Sequence, residues 1–214
     1  CRRIVILKKE EINKMTEENF LVPAETYLKA GIHIGTKFKT KHMSKFIYKT
    51  RPDGLSVLNL EMIDERISVA ANFLSKYAPE DIMFASRREG ASKSLEKMKE
   101  LNKDLHIFPG RYPPGVLTNP ELEIFLEPRV LVISDPWIDK SVIDDALRAG
   151  IVIIALCDTN NQTNNLDLII PCNNKGKKSL GLLYYILCRE YMIKRGIVKN
   201  AEEFTATVED FTEE

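Results

Sequence analysis

The chain has 214 residues, with 31 Lys and Arg against 31 Asp and Glu and a formal net charge of zero at pH 7. That length suits one domain with a two-layered core, and 44% hydrophobic with 29% charged residues is ordinary for a soluble globular protein. Zero net charge excludes a strong global field that draws in nucleic acid, so any such attraction has to come from local patches.

Other classes are excluded by what the chain lacks. No apolar run approaches the roughly 18 residues needed to span a bilayer. Arg2, Arg3 and Ile4–Leu7 run into charged residues without the apolar region of a secretory signal. Cys1, Cys157, Cys172 and Cys188 show no C-x-x-C spacing; the last three fall in apolar contexts, which predicts reduced core thiols and a cytoplasmic protein, with no zinc site and no disulfide framework.

In chain order, residues 1–22 read as a loosely docked or disordered arm, within which Met15 is a candidate translation start. Pro23–Gly31 predicts a short helix, with Pro in its first turn and Gly past its end. A basic stretch follows: Lys37, Lys39, Lys41, Lys45, Lys49 and Arg51, with no Asp or Glu among them and with Phe38, Phe46 and Tyr48 interleaved. Phe46–Tyr48 and Leu55–Leu60 flank Arg51-Pro52-Asp53-Gly54, a turn signal, so a β-hairpin is expected. Glu61–Tyr77 is an amphipathic helix: Ile63, Ile67, Ala70, Leu74 and Tyr77 recur at helical spacing.

Further on, Ile82–Ser86 predicts a strand, Glu89–Lys103 a charged helix with a narrow apolar side, and His106–Phe108 another strand. Pro109–Gly115 cannot be helical; Pro120–Leu126 is the candidate helix of that connection, with Asn119 as its cap. Val130–Ser134 reads as a strand, and Asp139–Ala149 as a helix with Val142, Ile143, Ala146 and Leu147 inward. Ile151–Cys157 and Leu168–Ile170 are unbroken apolar runs, as in strands buried on both faces of a parallel sheet. A largely apolar helix is expected from about Lys177 to Lys194. Beyond Lys199 the chain carries Glu and Asp with no Lys or Arg, which predicts an acidic, mobile tail over 197–214. Strand starts near 55, 82, 106, 130 and 151, alternating with helices, give a single α/β domain over 23–196.

In such sheets, ligands bind in the loops after the strand C-terminal ends. The nucleotide-binding signatures are absent: there is no G-x-G-x-x-G, and Pro171 and Lys178 break a P-loop reading of the 171–179 segment. Asp135 and Asp158 both end strands, where carboxylates can hold Mg²⁺ or act as acid and base; turn initiation with their neighbours is the preferred reading. The Lys37–Arg51 stretch carries more weight. Lysine neutralises phosphate and releases counterions, whereas alternation favours core packing for Phe46 and Tyr48. Arg87, Arg88, Arg111, Lys175, Lys177 and Lys178 each follow a predicted strand and extend the basic patch along one sheet edge. Asn173 and Asn174 offer amides to phosphate or ribose, or equally a cap for the final helix. A nucleotide- or Mg²⁺-dependent enzyme and a free-standing RNA-binding regulator are the rival functions.

Eight ordered segments carry a resemblance. Ala30–Thr36, Arg51–Gly54, Gly110–Tyr112, Leu117–Pro120, Glu127–Arg129, Ser134–Pro136, Ile154–Thr159 and Ile170–Gly176 closely resemble the small-subunit ribosomal protein family S-two, over about 28–196. The details are similar to the archaeal and eukaryotic branch, which includes ribosomal protein SA. Only about ten residues separate Asn119 from Val130, so the long helical hairpin of the bacterial branch is absent. The resemblance implies a flavodoxin-like or Rossmann-like α/β sandwich around a mainly parallel sheet. It also implies a non-catalytic structural role on the small ribosomal subunit, with small-subunit rRNA and neighbouring ribosomal proteins as partners and with no cofactor, metal, membrane or small-molecule substrate.

Overall fold

The computed structural model describes residues 20–199 and 203–212. Most of the expected N-terminal arm, with Cys1 and Met15, lies outside the described residues. Five strands form one parallel sheet: β3 (Ile82–Ser86), β4 (His106–Pro109), β5 (Val130–Ile133), β6 (Val152–Cys157) and β7 (Leu168–Pro171), in the order β4-β3-β5-β6-β7. The three middle strands, β3, β5 and β6, are buried almost throughout, which is why they read as continuous β-branched runs rather than alternating ones.

The placement of the helices follows from the strand order and from handedness. The crossover from β3 to β4 runs through α3 (Ser92–Leu101), and the one from β5 to β6, on the other side of β3, runs through α4 (Lys140–Ala149). Right-handed crossovers in opposite directions place their helices on opposite faces. On the α3 face lie α1 (Ala24–Ala30), α2 (Leu60–Leu74) and α5 (Lys177–Lys194), packed around α5. Tyr184 of α5 reaches the sheet: its hydroxyl lies 2.5 Å from Ser134 Oγ, and its ring meets Phe84 edge-on. The second face is covered by α4 and by the turn-rich segment 110–129, joined where Tyr112 Oη and Gly115 N–H both donate to Asp145.

The helix boundaries obey local chemistry. The Asn59 side chain caps α2 by accepting from Glu61 N–H at 3.0 Å. Gly31 and Gly150, both near φ +71°, end α1 and α4 in the left-handed conformation that favours glycine.

Four expectations need correction. The strand near 55 belongs outside the main sheet: β1 (Ile47–Thr50) and β2 (Ser56–Leu58) pair only as an antiparallel hairpin. No helix forms over 120–126. Asn119 Oδ1 does accept from Glu121 N–H, but Leu126 N–H turns back to the Val116 carbonyl, and Ile124 is half exposed. Leu122, Phe125 and Leu126 are only partly buried, and so short a helix gains too little from that to offset its nucleation cost. Leu147 points outward, exposed on the solvent side of α4.

The tail is the largest correction. Phe204, Ala206 and Phe211 are buried, and α6 (Val208–Phe211) packs on α3 and α5. Tyr185 of α5 meets the rings of Phe204 and Phe211 edge-on, and Ser94 Oγ donates to the Phe211 carbonyl at 2.7 Å. Gly181 admits this segment: a Cβ there would lie 2.4 Å from Thr212 Cγ2 and 2.8 Å from the Phe211 carbonyl. The acidic groups dominate the composition of this segment, and its few apolar residues dominate its placement.

Candidate nucleic-acid interface

All five strands are parallel, so the loops after β3, β4, β5, β6 and β7 gather on one edge. The chain reverses direction across the sheet between β3 and β5, the crevice where doubly wound folds hold nucleotides. Here that crevice is filled by the protein's own groups. The Arg88 guanidinium donates to Asp135 Oδ2 through both Nε and Nη2. Asn161 Nδ2 donates to Asp135 Oδ1 at 2.9 Å, and Asn174 Nδ2 approaches the carbonyls of Ser134 and Leu156 and Asn161 Oδ1 at 3.1–3.2 Å. Asp135, Asn161 and Asn174 are buried. Polar groups this deep are costly unless paired, and the network stitches the ends of β3, β5, β6 and the β7–α5 loop together.

The carboxylates weighed for catalysis are thus structural. Asp135 accepts from Trp137 N–H, closing the turn expected at Asp135-Pro136. Asp158 accepts from Thr159 N–H and pairs with Lys175 at 3.2 Å. Asp139, from the first turn after β5, takes the Arg87 N–H on one oxygen while the other is buried without a hydrogen bond among the described residues. Burial pushes this carboxyl up to about 6, against the pull of the Arg87 amide. Burial likewise raises the thiols of Cys157, Cys172 and Cys188, which are free and protonated in the core, as expected.

Outside this network lies a basic loop. Residues 36–42 dock on the turn after β6: Thr40 N–H donates to the Thr159 carbonyl at 2.9 Å, and Thr40 Oγ1 to the Asn161 carbonyl at 2.8 Å. Thr36 N–H donates to Thr159 Oγ1, and His42 Nδ1 lies 2.8 Å from Thr163 Oγ1. The approach is close, because a Cβ on Gly35 would stand 2.5 Å from Thr159 Cγ2. The side chains between these anchors point away from the core. Lys37, Lys39, Lys41, Lys45, Lys49 and Arg51 are all exposed. Among the described residues none of them is in an ion pair. His33, behind Arg51, is held below the ordinary imidazole range by burial first and that cation second.

The aromatics divide. Phe46 is buried as alternation predicts, with Lys45 Nζ 5.0 Å from its ring centroid. Tyr48 is not: it is 69% exposed, and Phe38 is 80% exposed. The hairpin has one covered face, and a bulge between Ile47 and Lys49 shifts its register, turning Tyr48 outward.

The remaining predicted positions also divide. Arg87 and Arg111 are exposed, the latter beside Tyr112, whose ring is buried under the loop. Arg88 is committed to Asp135, and Lys175 to Asp158 and Asn160. Lys177 and Lys178 are exposed on the first turn of α5, a helix start with no carboxylate and no capping side chain. Asn174 is corrected outright: fully buried, its amide serves the strand ends and is unavailable to a ligand. Neither Asn caps α5; Asn173 Oδ1 takes the N–H groups of Lys175 and Gly176 instead, and its amide donates to the Gly31 carbonyl. Sequence reasoning missed Thr36, Thr40, Thr159 and Asn161, which hold the basic loop in place. A run of Asn and Thr after a strand was the available signal, and it looked like any solvated turn.

A family model described as ribosomal protein S2 matches residues 27–124 and 122–192. The chain is 48% identical over 191 residues to the small ribosomal subunit protein uS2 of Nanoarchaeum equitans, covering 89% of this chain and 94% of that one. It is 46% identical over 199 residues to the protein of the same name from a strain of Methanococcus maripaludis, covering 93% and 89%. With a plugged nucleotide crevice, a docked basic loop and this similarity across most of its length, the chain belongs to the ribosomal protein S2 family.

Proposed function

We propose that this protein is a structural, non-catalytic constituent of the small ribosomal subunit, and that it grips small-subunit rRNA through the basic loop 37–51, with Arg87, Arg111, Lys177 and Lys178 extending the interface along the same edge. The observation that carries this reading is the state of the loop's cations. They are exposed, free of ion pairs among the described residues, and held by a loop anchored to the sheet through Thr36 and Thr40. An unneutralised run of one sign is poised for a polyanion, and Phe38 and Tyr48 add stacking surface. Lysine and arginine then set affinity and register through phosphates. Neighbouring small-subunit proteins complete the site, and the acidic tail, repelled by phosphate, faces solvent or a basic neighbour.

The test is salt dependence. Changing Lys37, Lys39 and Lys41 together to Ala should weaken binding to small-subunit rRNA and reduce the log–log salt slope by about 0.7–0.9 for each phosphate no longer neutralised. An unchanged slope would remove the loop from the RNA surface. A free-standing regulator is separated by sedimentation, because a structural constituent travels almost wholly with small subunits.

A further inference from the structure

Trp137 is the only tryptophan in the chain, and it is 74% exposed. A ring of that size is usually largely covered, so its setting needs an explanation. It stands in the turn between β5 and α4, with its backbone fixed by the bond from its N–H to Asp135 Oδ1 at 2.9 Å. Asp135 is in turn held by Arg88 and Asn161. The buried network that plugs the nucleotide crevice therefore also aims Trp137 outward.

The ring borders a cavity of about 470 Å³ between that turn and the loop after β6. Pro136 and Ile143 give it an apolar floor, and Gln162, Asn164 and Asn165 give it an amide wall. Among the described residues no side-chain hydrogen bond engages these three amides. Asn165 is held at φ 64°, alone among the described non-glycine residues in the left-handed region, a conformation Asn tolerates and other side chains resist. Lys140 lines the cavity with Asp144. The basic loop adjoins it, since Thr40 and His42 bond to Asn161 and Thr163 of the same loop after β6.

We propose that this cavity receives an unpaired RNA base, stacked on Trp137 and read by the amides of Gln162, Asn164 and Asn165. Aromatic faces take bases of any identity, and free amides present the donors and acceptors that Watson–Crick edges need. RNA is favoured over a protein occupant by continuity: the loop that forms one wall also anchors the cations proposed to hold phosphate. The inference rests on that RNA-binding reading and adds a subsite for single-stranded RNA.

Because Trp137 is the sole indole, its emission reports the cavity in the intact chain. A single-stranded oligoadenylate should quench it, with the same midpoint as binding followed by anisotropy of the labelled RNA, whereas a duplex of equal length should bind without quenching. Trp137→Ala should weaken single-strand binding about five- to a hundredfold and leave the salt slope unchanged, because no charge is removed; Trp137→Phe should recover most of the affinity. Single-strand binding with unaltered emission and no effect of Trp137→Ala would overturn the cavity's role and leave the basic loop standing. Quenching by proteins stripped from small subunits, and not by RNA, would assign the ring to a protein interface and overturn the proposal in the same way. Failure of all RNA to bind, with the lysine variants no different, would sink both readings.

Discussion

Two sets of cations share one edge of this sheet and have opposite fates. Arg88 and Lys175 lie at the rim and are paired with the buried carboxylates Asp135 and Asp158. Lys37, Lys39 and Lys41 lie outside it on a loop whose backbone is fixed and whose charges are unpaired among the described residues. Sequence position does not separate the two sets, since each follows a strand or turn in a basic context. What separates them is whether the fold brings a carboxylate within reach. The inner set closes a crevice that related folds leave open to nucleotides, and the outer set remains for an external polyanion.

The largest expected effect comes from breaking the inner set. Arg88→Ala leaves the Asp135 carboxylate buried with only Asn161 and the Trp137 amide to stabilise it. The variant should lose about 3 kcal/mol or more in denaturant unfolding, as uncompensated buried charges do. A loss no larger than that of a surface substitution would show that the network contributes little.

Asp139 sharpens the same contrast through pH. Its folded value, about 6, lies above the ordinary 3.8, so the native state binds the proton more tightly than the unfolded chain. The cost of ionising it is absent below about 3.8 and complete above about 6. Asp139→Asn removes that cost, and its stability relative to the native protein should rise by up to about 3 kcal/mol across that window. A difference that stays flat with pH would mean the carboxyl is not burdened by burial.

Gly35→Ala addresses the joint between the two sets. The added methyl collides with Thr159, which should cost about 1–3 kcal/mol and lower RNA affinity with no cation removed. Unchanged affinity would show that the loop's charge matters and its placement does not. The smallest effect on stability belongs to Lys37, Lys39 and Lys41: each should change folding by no more than about 0.5 kcal/mol when replaced by Ala, so that a change in their salt slope reports RNA and not unfolding.

Much of this molecule is legible from local pattern. The buried runs of β3, β5 and β6, the glycine stops of α1 and α4, and the hairpin at Arg51–Gly54 all rest on local chemistry. The failures are of another kind. Tyr48 follows a strand alternation that a bulge breaks. Residues 120–126 carry a helical cap, but their apolar side chains are only partly buried. Phe204 and Phe211 are hidden by the acidic groups around them, and Asn174 looks like a surface amide while being fully enclosed.

By itself the sequence determined the class of fold, the apolar strands, the loss of a phosphate loop and the existence of an unneutralised basic stretch, because these depend on neighbours along the chain. Only the tertiary structure decided which cations stay free, which amides turn inward and where Trp137 stands. Those outcomes depend on carboxylates, carbonyls and cavities contributed by residues tens of positions away, and pairing at that range is set by packing rather than by local pattern.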